Sequence, residues 1–291
     1  MAEGNPPGVL VIGHVTRDVA SASPLGYSYG GTATFASVAA RRLGHRVALV
    51  TACADEPGLA DAIDGVTVVA APATATTTFE NRYTPDGRIQ YVRAAAPPID
   101  PGVVPPSWRA APIVLLGPVA QEVRPDMLGT FPATTTIAAT LQGWVRTWDD
   151  VTGRVHPVPW RESEAFLDRL DAVVFSPVDV GNDLDLVHRY AAGARLAVVT
   201  EASEGGIVWH RGRQFRYPAF MVDEVEPTGA GDAFAVAFAI ELHATGDPEH
   251  AARFASCVAS FVVEGPGATS VPTIDQVRER FRHGRLRPSR S

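Results

Sequence analysis

Apolar positions along the chain follow two different periods, and the switches between them lay out an alternating fold. Short apolar runs closed by a small or turn residue read as buried strands. "VLVIG" (residues 9–13), "HRVALVT" (45–51), "IVLLG" (113–117), "TIAAT" (136–140), "AVVFS" (172–176) and "LAVVT" (196–200) have this form. Helical spacing takes over in "GGTATFASVAARRLG" (30–44), "ESEAFLDRL" (162–170) and "DLDLVHRYAA" (183–192). The first of these is entered through a glycine pair and stopped by Gly44. "GIVWH" (206–210) and "QFRYP" (214–218) flank Arg211-Gly212 as a hairpin. The last third reads as helices over 230–244, 248–264 and 273–283, followed by a polar tail, "HGRLRPSRS", expected to fray from residue 284.

One stretch breaks the rhythm. "TTTFENRYTPDGRIQYVR" (76–93) is rich in Thr and aromatics, with Pro85-Asp86-Gly87 in its middle, which predicts a hairpin. Its alternation puts Phe79, Asn81 and Tyr83 on one face. The expected architecture is one α/β domain over 1–291: a doubly wound, mostly parallel sheet flanked by helices, with a small β lid from segments 14–30 and 76–93. Such sheets bind ligands beyond the carboxyl ends of their strands, where a lid would hang.

Composition sharpens this in two places. All 25 cationic side chains are Arg, so mechanisms that need a lysine ammonium are excluded, including the P-loop lysine and a Schiff base. The formal net charge of −7 argues against a nucleic-acid partner. Apolar runs such as 233–240 are too short to span a bilayer, and "MAEGNPPGVL" lacks the form of a secretion signal. Cys53 and Cys257 stand alone, which fits a reducing cytoplasm. The eight His show no metal-ligand spacing, and no G-x-S-x-G elbow occurs. His14, close to Asp18, reads as a loop-satisfying residue or a pocket wall.

The candidate chemistry lies in "EPTGAGDAFAVAFAIEL" (226–242). Gly229-Ala230-Gly231 at a helix start lets backbone N–H groups and the helix dipole favour an anion. Asp232 follows in the first turn. Two readings stay open on these residues alone: a helix-start carboxylate, or a base beside an anion site.

Together with "VIGHVTRDV" and "YGGTATFASVAARRLG", the chain resembles the ribokinase-like, or PfkB, family of carbohydrate kinases over about residues 9–275. That resemblance implies ATP-dependent phosphorylation of a sugar or polyol. Asp232 matches the family's general base, and Gly229, Ala230 and Gly231 its anion hole. Asp18 matches a substrate-binding carboxylate; Gly30 and Gly31 match the glycine pair at the substrate and lid hinge. "VVTEASEGG" resembles the nucleotide-side strand and turn, with Thr200 and Gly205 matching, and Thr228 of the signature is placed on the same side. Gly267 and Ala268 resemble the loop near the adenine. "SPVD" falls where the family organises Mg²⁺ through water, which assigns that role to Asp179. A monovalent cation such as K⁺ is common beside the signature.

Departures from the family pattern are Phe35 for Asn, Ser176 for Asn, Asp179 for Glu, Ala202 for Gly and Glu226 for Asp. Phe35 makes the expected pocket aromatic and disfavours ribose. "GGTATF", "TTTFENRY" and "TLQGWVRTWDDVTGRV" resemble the branch containing plant myo-inositol 3-kinases. Gln142 follows a central strand and would sit near its carboxyl end, and Asn81 reads as a contact to a polyol hydroxyl or as a solvent-facing strand residue; both are substrate-site candidates. Arg146 reads equally as a phosphate contact or a surface ion pair. Two alternatives are carried forward: a nucleoside kinase using Phe35 as a base platform, and a non-catalytic binding protein. Lid pairing into a homodimer is a further expectation.

Overall fold

The computed structural model describes residues 5–20, 23–84, 87–266 and 270–288. In chain order the elements are β1 (Val9–Ile12), β2 (Thr16–Val19), β3 (Tyr27–Gly30), α1 (Gly31–Arg42), β4 (Val47–Cys53), α2 (Leu59–Ala62) and β5 (Thr67–Pro72). There follow β6 (Thr77–Thr84), β7 (Gly87–Ala94), β8 (Ile113–Leu116), β9 (Thr136–Thr140), β10 (Arg146–Trp148), β11 (Val155–Pro157), α3 (Ser163–Leu167) and β12 (Ala172–Phe175). The chain closes with α4 (Leu184–Gly193), β13 (Leu196–Thr200), β14 (Gly206–His210), β15 (Arg213–Tyr217), α5 (Ala230–Thr245), α6 (Pro248–Val262) and α7 (Ile274–His283).

Nine strands form one sheet in the order β15-β14-β13-β12-β9-β8-β1-β4-β5. The seven strands from β13 to β5 run parallel, and β14 and β15 add an antiparallel edge. Successive residues of β1 and β4 face opposite layers, as a pleated strand requires. Val9, Val11 and Leu49 join the layer built by α1, α5 and α6, whereas Leu10, Ile12 and Val50 join the opposite layer with Trp108, Trp144 and Trp160. Both faces are covered, so these strands are apolar throughout.

The chain turns in opposite directions from β1 and β8, which makes their carboxyl ends the switch point of the sheet. The two ends sit so close that a Cβ on Gly13 would overlap the Gly117 carbonyl. A separate sheet, β3-β2-β6-β7, rises from this edge as the lid. The hairpin β10–β11 supports it from below: Val92 donates to the Gly153 carbonyl (2.8 Å), and Phe79, Val92 and Val119 share a small core with Trp148 and Val155.

The sequence pattern does not reveal β5 or the β10–β11 hairpin. β5 is a half-exposed edge strand, and β10 and β11 have three residues each, too few for a period to register. The turn at Pro85-Asp86 lies outside the described residues. The tail does not fray at residue 284: the Arg285 carbonyl accepts from the Met221 amide (2.8 Å), and the Arg287 amide donates to the Ala219 carbonyl (2.8 Å). Among the described residues no helix is long and apolar enough to cross a membrane.

Candidate active site

Helix α5 begins at the ligand edge of the sheet. Its N-cap, Gly229, has φ 84°, a left-handed conformation that costs an L side chain about 1–2 kcal/mol. A Cβ there would also overlap the Phe35 ring. Phe35 is buried in α1, so it buttresses the glycine loop and offers no open platform to a ligand; the expected aromatic pocket wall is corrected on that ground. The Ala230 amide donates back to the Pro227 carbonyl (3.2 Å), which turns it away from the expected anion hole. The Gly231 and Asp232 amides have no protein partner among the described residues, and the space beside Gly231 is open. Residues 233–240 behind them are all buried, which anchors this helix start rigidly.

Asp232 accepts a 2.6 Å hydrogen bond at Oδ1 from the Thr32 hydroxyl. Thr32 is buried in the first turn of α1, immediately after Gly30-Gly31. Burial pushes the Asp232 carboxyl up to about 6, with the nearby Asp179 and Asp18 carboxylates adding to the rise and Thr32 and Arg146 opposing it. A carboxylate poised near neutrality is suited to taking a proton. Thr32→Val removes one donor to the charged form, so we expect the acidic limb of kcat/KM to move to higher pH, with roughly tenfold lower kcat/KM at pH 7. An unmoved limb in the pH–rate profile would separate Thr32 from the base.

Asp18 lies on lid strand β2 with Thr16 donating to Oδ1 at 3.2 Å. A Cβ at Gly30 would overlap this carboxylate, which explains that glycine. Gly31 has φ 81° as the chain turns from β3 into α1. Burial raises the Asp18 pKa, while Thr16, Arg146 and Arg88 oppose the rise. His14 is fully buried and has no free ring nitrogen. Its Nε2 faces the Pro97 carbonyl (3.0 Å), an acceptor only, so Nε2 carries the proton and Nδ1 accepts from the Thr77 hydroxyl (2.8 Å).

Arg146 is not a surface ion pair. It is buried, with Nε (2.6 Å) and Nη2 donating to the Val119 carbonyl and Nη1 to Gln90 Oε1 at 2.8 Å. Its guanidinium lies 4.7 Å from the Phe79 ring centre. Burial lowers its pKa to about 10, against the pull of Glu122, Asp179 and Asp18. Asn81 accepts from Gln90 Nε2 (3.0 Å), and Gln142 follows β9 at the carboxyl edge, half-buried. Glu122 carries no motif that marks it in the sequence. It is buried beyond β8 and accepts from the amides of His14 (2.9 Å) and Ala120 (2.6 Å), and also from Val119, so it ties the β1 and β8 ends together.

On the other side, Thr200 ends β13, and Gly205 (φ 86°) closes the following turn. Ala202 has φ 48°, a glycine-like conformation at the position where the family commonly has Gly. Thr228 is half-buried directly before Gly229. Asp179 Oδ2 accepts from the Ser176 amide (2.8 Å) and hydroxyl (2.9 Å), a reciprocal cap on a short turn of helix. Gly267 and Ala268 lie outside the described residues. Among the described residues no three His, Cys, Asp or Glu side chains converge as a metal cage.

The lid is fastened by a second carboxylate without a sequence signal. Glu56 has 1% side-chain exposure and receives Arg17 Nε (2.9 Å) from β2, the Tyr29 hydroxyl (3.1 Å) from β3, and the Thr76 hydroxyl at the entry to β6. A cavity of about 430 Å³ beside it, lined by Cys53, Leu59 and Val68 among others, lies at the β4–β5 edge. Its lining includes none of the residues around Asp232. Glu56→Gln should destabilise the protein by about 1–3 kcal/mol and raise KM more than it lowers kcat; denaturant titration and steady-state kinetics read both.

Residues 165–274 match the pfkB family of carbohydrate kinases. A solved pyrophosphate-dependent kinase of the ribokinase family, complexed with a pyrophosphate analogue and myo-inositol, superposes with TM-score 0.76 over 93% of this chain and 99% of its own, at 23% identity. The chain has the ribokinase-like fold and carries a pfkB-like segment over residues 165–274.

Among curated proteins similar to this chain, an ATP-dependent ribose-1-phosphate kinase of Halopiger xanaduensis is 35% identical over 35% of this chain and 33% of its own length. The inositol 3-kinase of Arabidopsis thaliana is 30% identical over 34% of this chain and 28% of its own. The matched segment thus spans about a third of these relatives. Helix α5 and its glycine entry fall inside the segment matched by the pfkB family, whereas Asp18, Thr32 and the lid lie upstream of it.

Proposed function

We propose that this protein transfers a phosphoryl group to a hydroxyl of a small sugar or cyclitol, with a myo-inositol-like polyol preferred. The observation that carries the reading is Asp232: a carboxylate raised to about 6, hydrogen-bonded by Thr32 and set beside unpaired helix-start amides. Asp18 and the lid face hold the acceptor. Asp232 takes the hydroxyl proton as the oxygen forms its bond to the terminal phosphorus. The phosphorus–oxygen bond to the leaving phosphate breaks, and its electron pair departs with that leaving group. The Gly231 and Asp232 amides donate to the charged oxygens of the moving group. A divalent cation such as Mg²⁺ would neutralise donor phosphate charge.

ATP is the first reading for the donor, supported by the β13 strand and turn that match the family's nucleotide side. Pyrophosphate is a second reading, favoured by the superposed kinase that uses it. A nucleoside acceptor loses support because Phe35 is buried under Gly229. The test is a pooled transfer assay crossing inositols, hexoses and nucleosides with ATP and pyrophosphate, read by phosphorus NMR. Transfer to a polyol supports the reading; transfer to nucleosides alone, or binding without turnover, overturns it.

A further inference from the structure

We propose that Gln90 sets the hydrogen-bonding polarity of the lid, forcing Asn81 to offer its amide N–H₂ to the substrate, where Asp18 offers only acceptors. The proposal rests on reading the Asp18 face as the substrate face. Arg146 fixes the first link, because its guanidinium carries donors and no acceptor. The Gln90 atom 2.8 Å from Arg146 Nη1 is therefore Oε1. That leaves Gln90 Nε2 for its other neighbour, Asn81, 3.0 Å away. Asn81 must accept there with Oδ1, so its remaining group is Nδ2, with two donors.

The lid register places this donor. β2 and β6 run parallel with Asp18 opposite Phe79. Asn81, two residues on, shares the face of Phe79, roughly 7 Å further along the strand. Gln90 lies opposite Asn81 on β7. The lid face thus carries a fixed acceptor at Asp18 and a fixed donor at Asn81. Nothing local would otherwise choose the orientation of Asn81; the buried Arg146 chooses it through one relay. Both amides are half-buried, so a wrong orientation would leave like atoms facing each other.

A hydroxyl satisfies either polarity, so the discriminating probes are acceptor analogues that do not. A fluorodeoxy polyol presents only an acceptor, and a protonated aminodeoxy polyol only donors. In the wild type, at the ring position facing Asn81, the fluoro analogue should keep kcat/KM within about threefold of the parent. The amino analogue should lose about 100-fold. Gln90→Glu keeps an oxygen toward Arg146 but presents a second oxygen to Asn81, which must then turn and offer Oδ1 outward. At that same ring position the preference should invert by at least about tenfold each way. Asn81→Asp should give the same inversion without touching the relay, and serves if Gln90→Glu folds poorly. Retained parent activity with an unchanged analogue preference in both variants overturns the proposal. A wild type silent with every polyol and both donors removes the underlying reading and this one with it.

Discussion

Replacing Asp232 by Asn should lower kcat by about 10³-fold and, at pH 8, make the protein more stable. The two effects have one cause. The folded protein holds this carboxyl at about 6 against an ordinary 3.8, because burial beside two other carboxylates disfavours the charge. A raised folded pKa leaves stability intact below the unfolded value and erodes it as pH rises through the folded one. Above pH 6 the wild type therefore carries a constant penalty of about 1–3 kcal/mol. The amide of the Asp232→Asn variant has no charge to desolvate and still accepts from Thr32. Denaturant midpoints should show the variant more stable at pH 8 and equal to wild type at pH 4. Equal stability at both values would mean that Asp232 is not desolvated as the structure has it.

Gly229→Ala should damage both stability and turnover severely. The left-handed backbone at this position opposes any L side chain, and the new Cβ meets the Phe35 ring. Together these cost about 2–4 kcal/mol. Relief of the strain moves the start of α5, and with it the Gly231 and Asp232 amides, so turnover should fall by at least about 100-fold. Phe35→Ala supplies a control, because the overlap needs the ring. In a double-mutant cycle, Gly229→Ala should cost at least about 1 kcal/mol less on the Phe35→Ala background than on wild type. Strict additivity would show that the two residues do not meet. The backbone part of the cost should persist in both backgrounds.

Much of the architecture is legible in the sequence because its signals are local. Buried parallel strands such as β9 and β13 are short apolar runs, and "TIAAT" and "LAVVT" match their observed limits residue for residue. The β6–β7 half of the lid follows from the turn chemistry and alternation of 76–93. Asp18, the glycine pair and the glycine entry to α5 are legible through a signature, since backbone demands at these points admit few residue types.

The supporting residues are not legible, because their roles come from contacts far apart in sequence. Thr32 reads as an ordinary helix residue, and its partner lies 200 positions away. Glu56 and Glu122 carry no sequence signal, and only the fold surrounds them with donors. Arg146 reads as a surface or phosphate-facing cation, but the β10–β11 hairpin turns it under the lid toward the Val119 carbonyl and Gln90. Phe35 reads as a pocket residue because its signature position faces the ligand in the family pattern, whereas a flat ring is what Gly229 rests on. The signal that marks Glu122 is positional: it follows β8 much as Asp18 follows β1, at the two strand ends that define the switch point.

The central claim is that Asp232 is the base for phosphoryl transfer to a polyol hydroxyl. Its most direct test is the pH dependence of kcat/KM for the wild type, measured with the best acceptor and donor from the pooled assay. The account predicts a single acidic limb near pH 6, with activity falling about tenfold for each pH unit below it and the Asp232→Asn variant showing no such limb. A wild-type profile flat from pH 5 to 7, or the same limb surviving in Asp232→Asn, would contradict it.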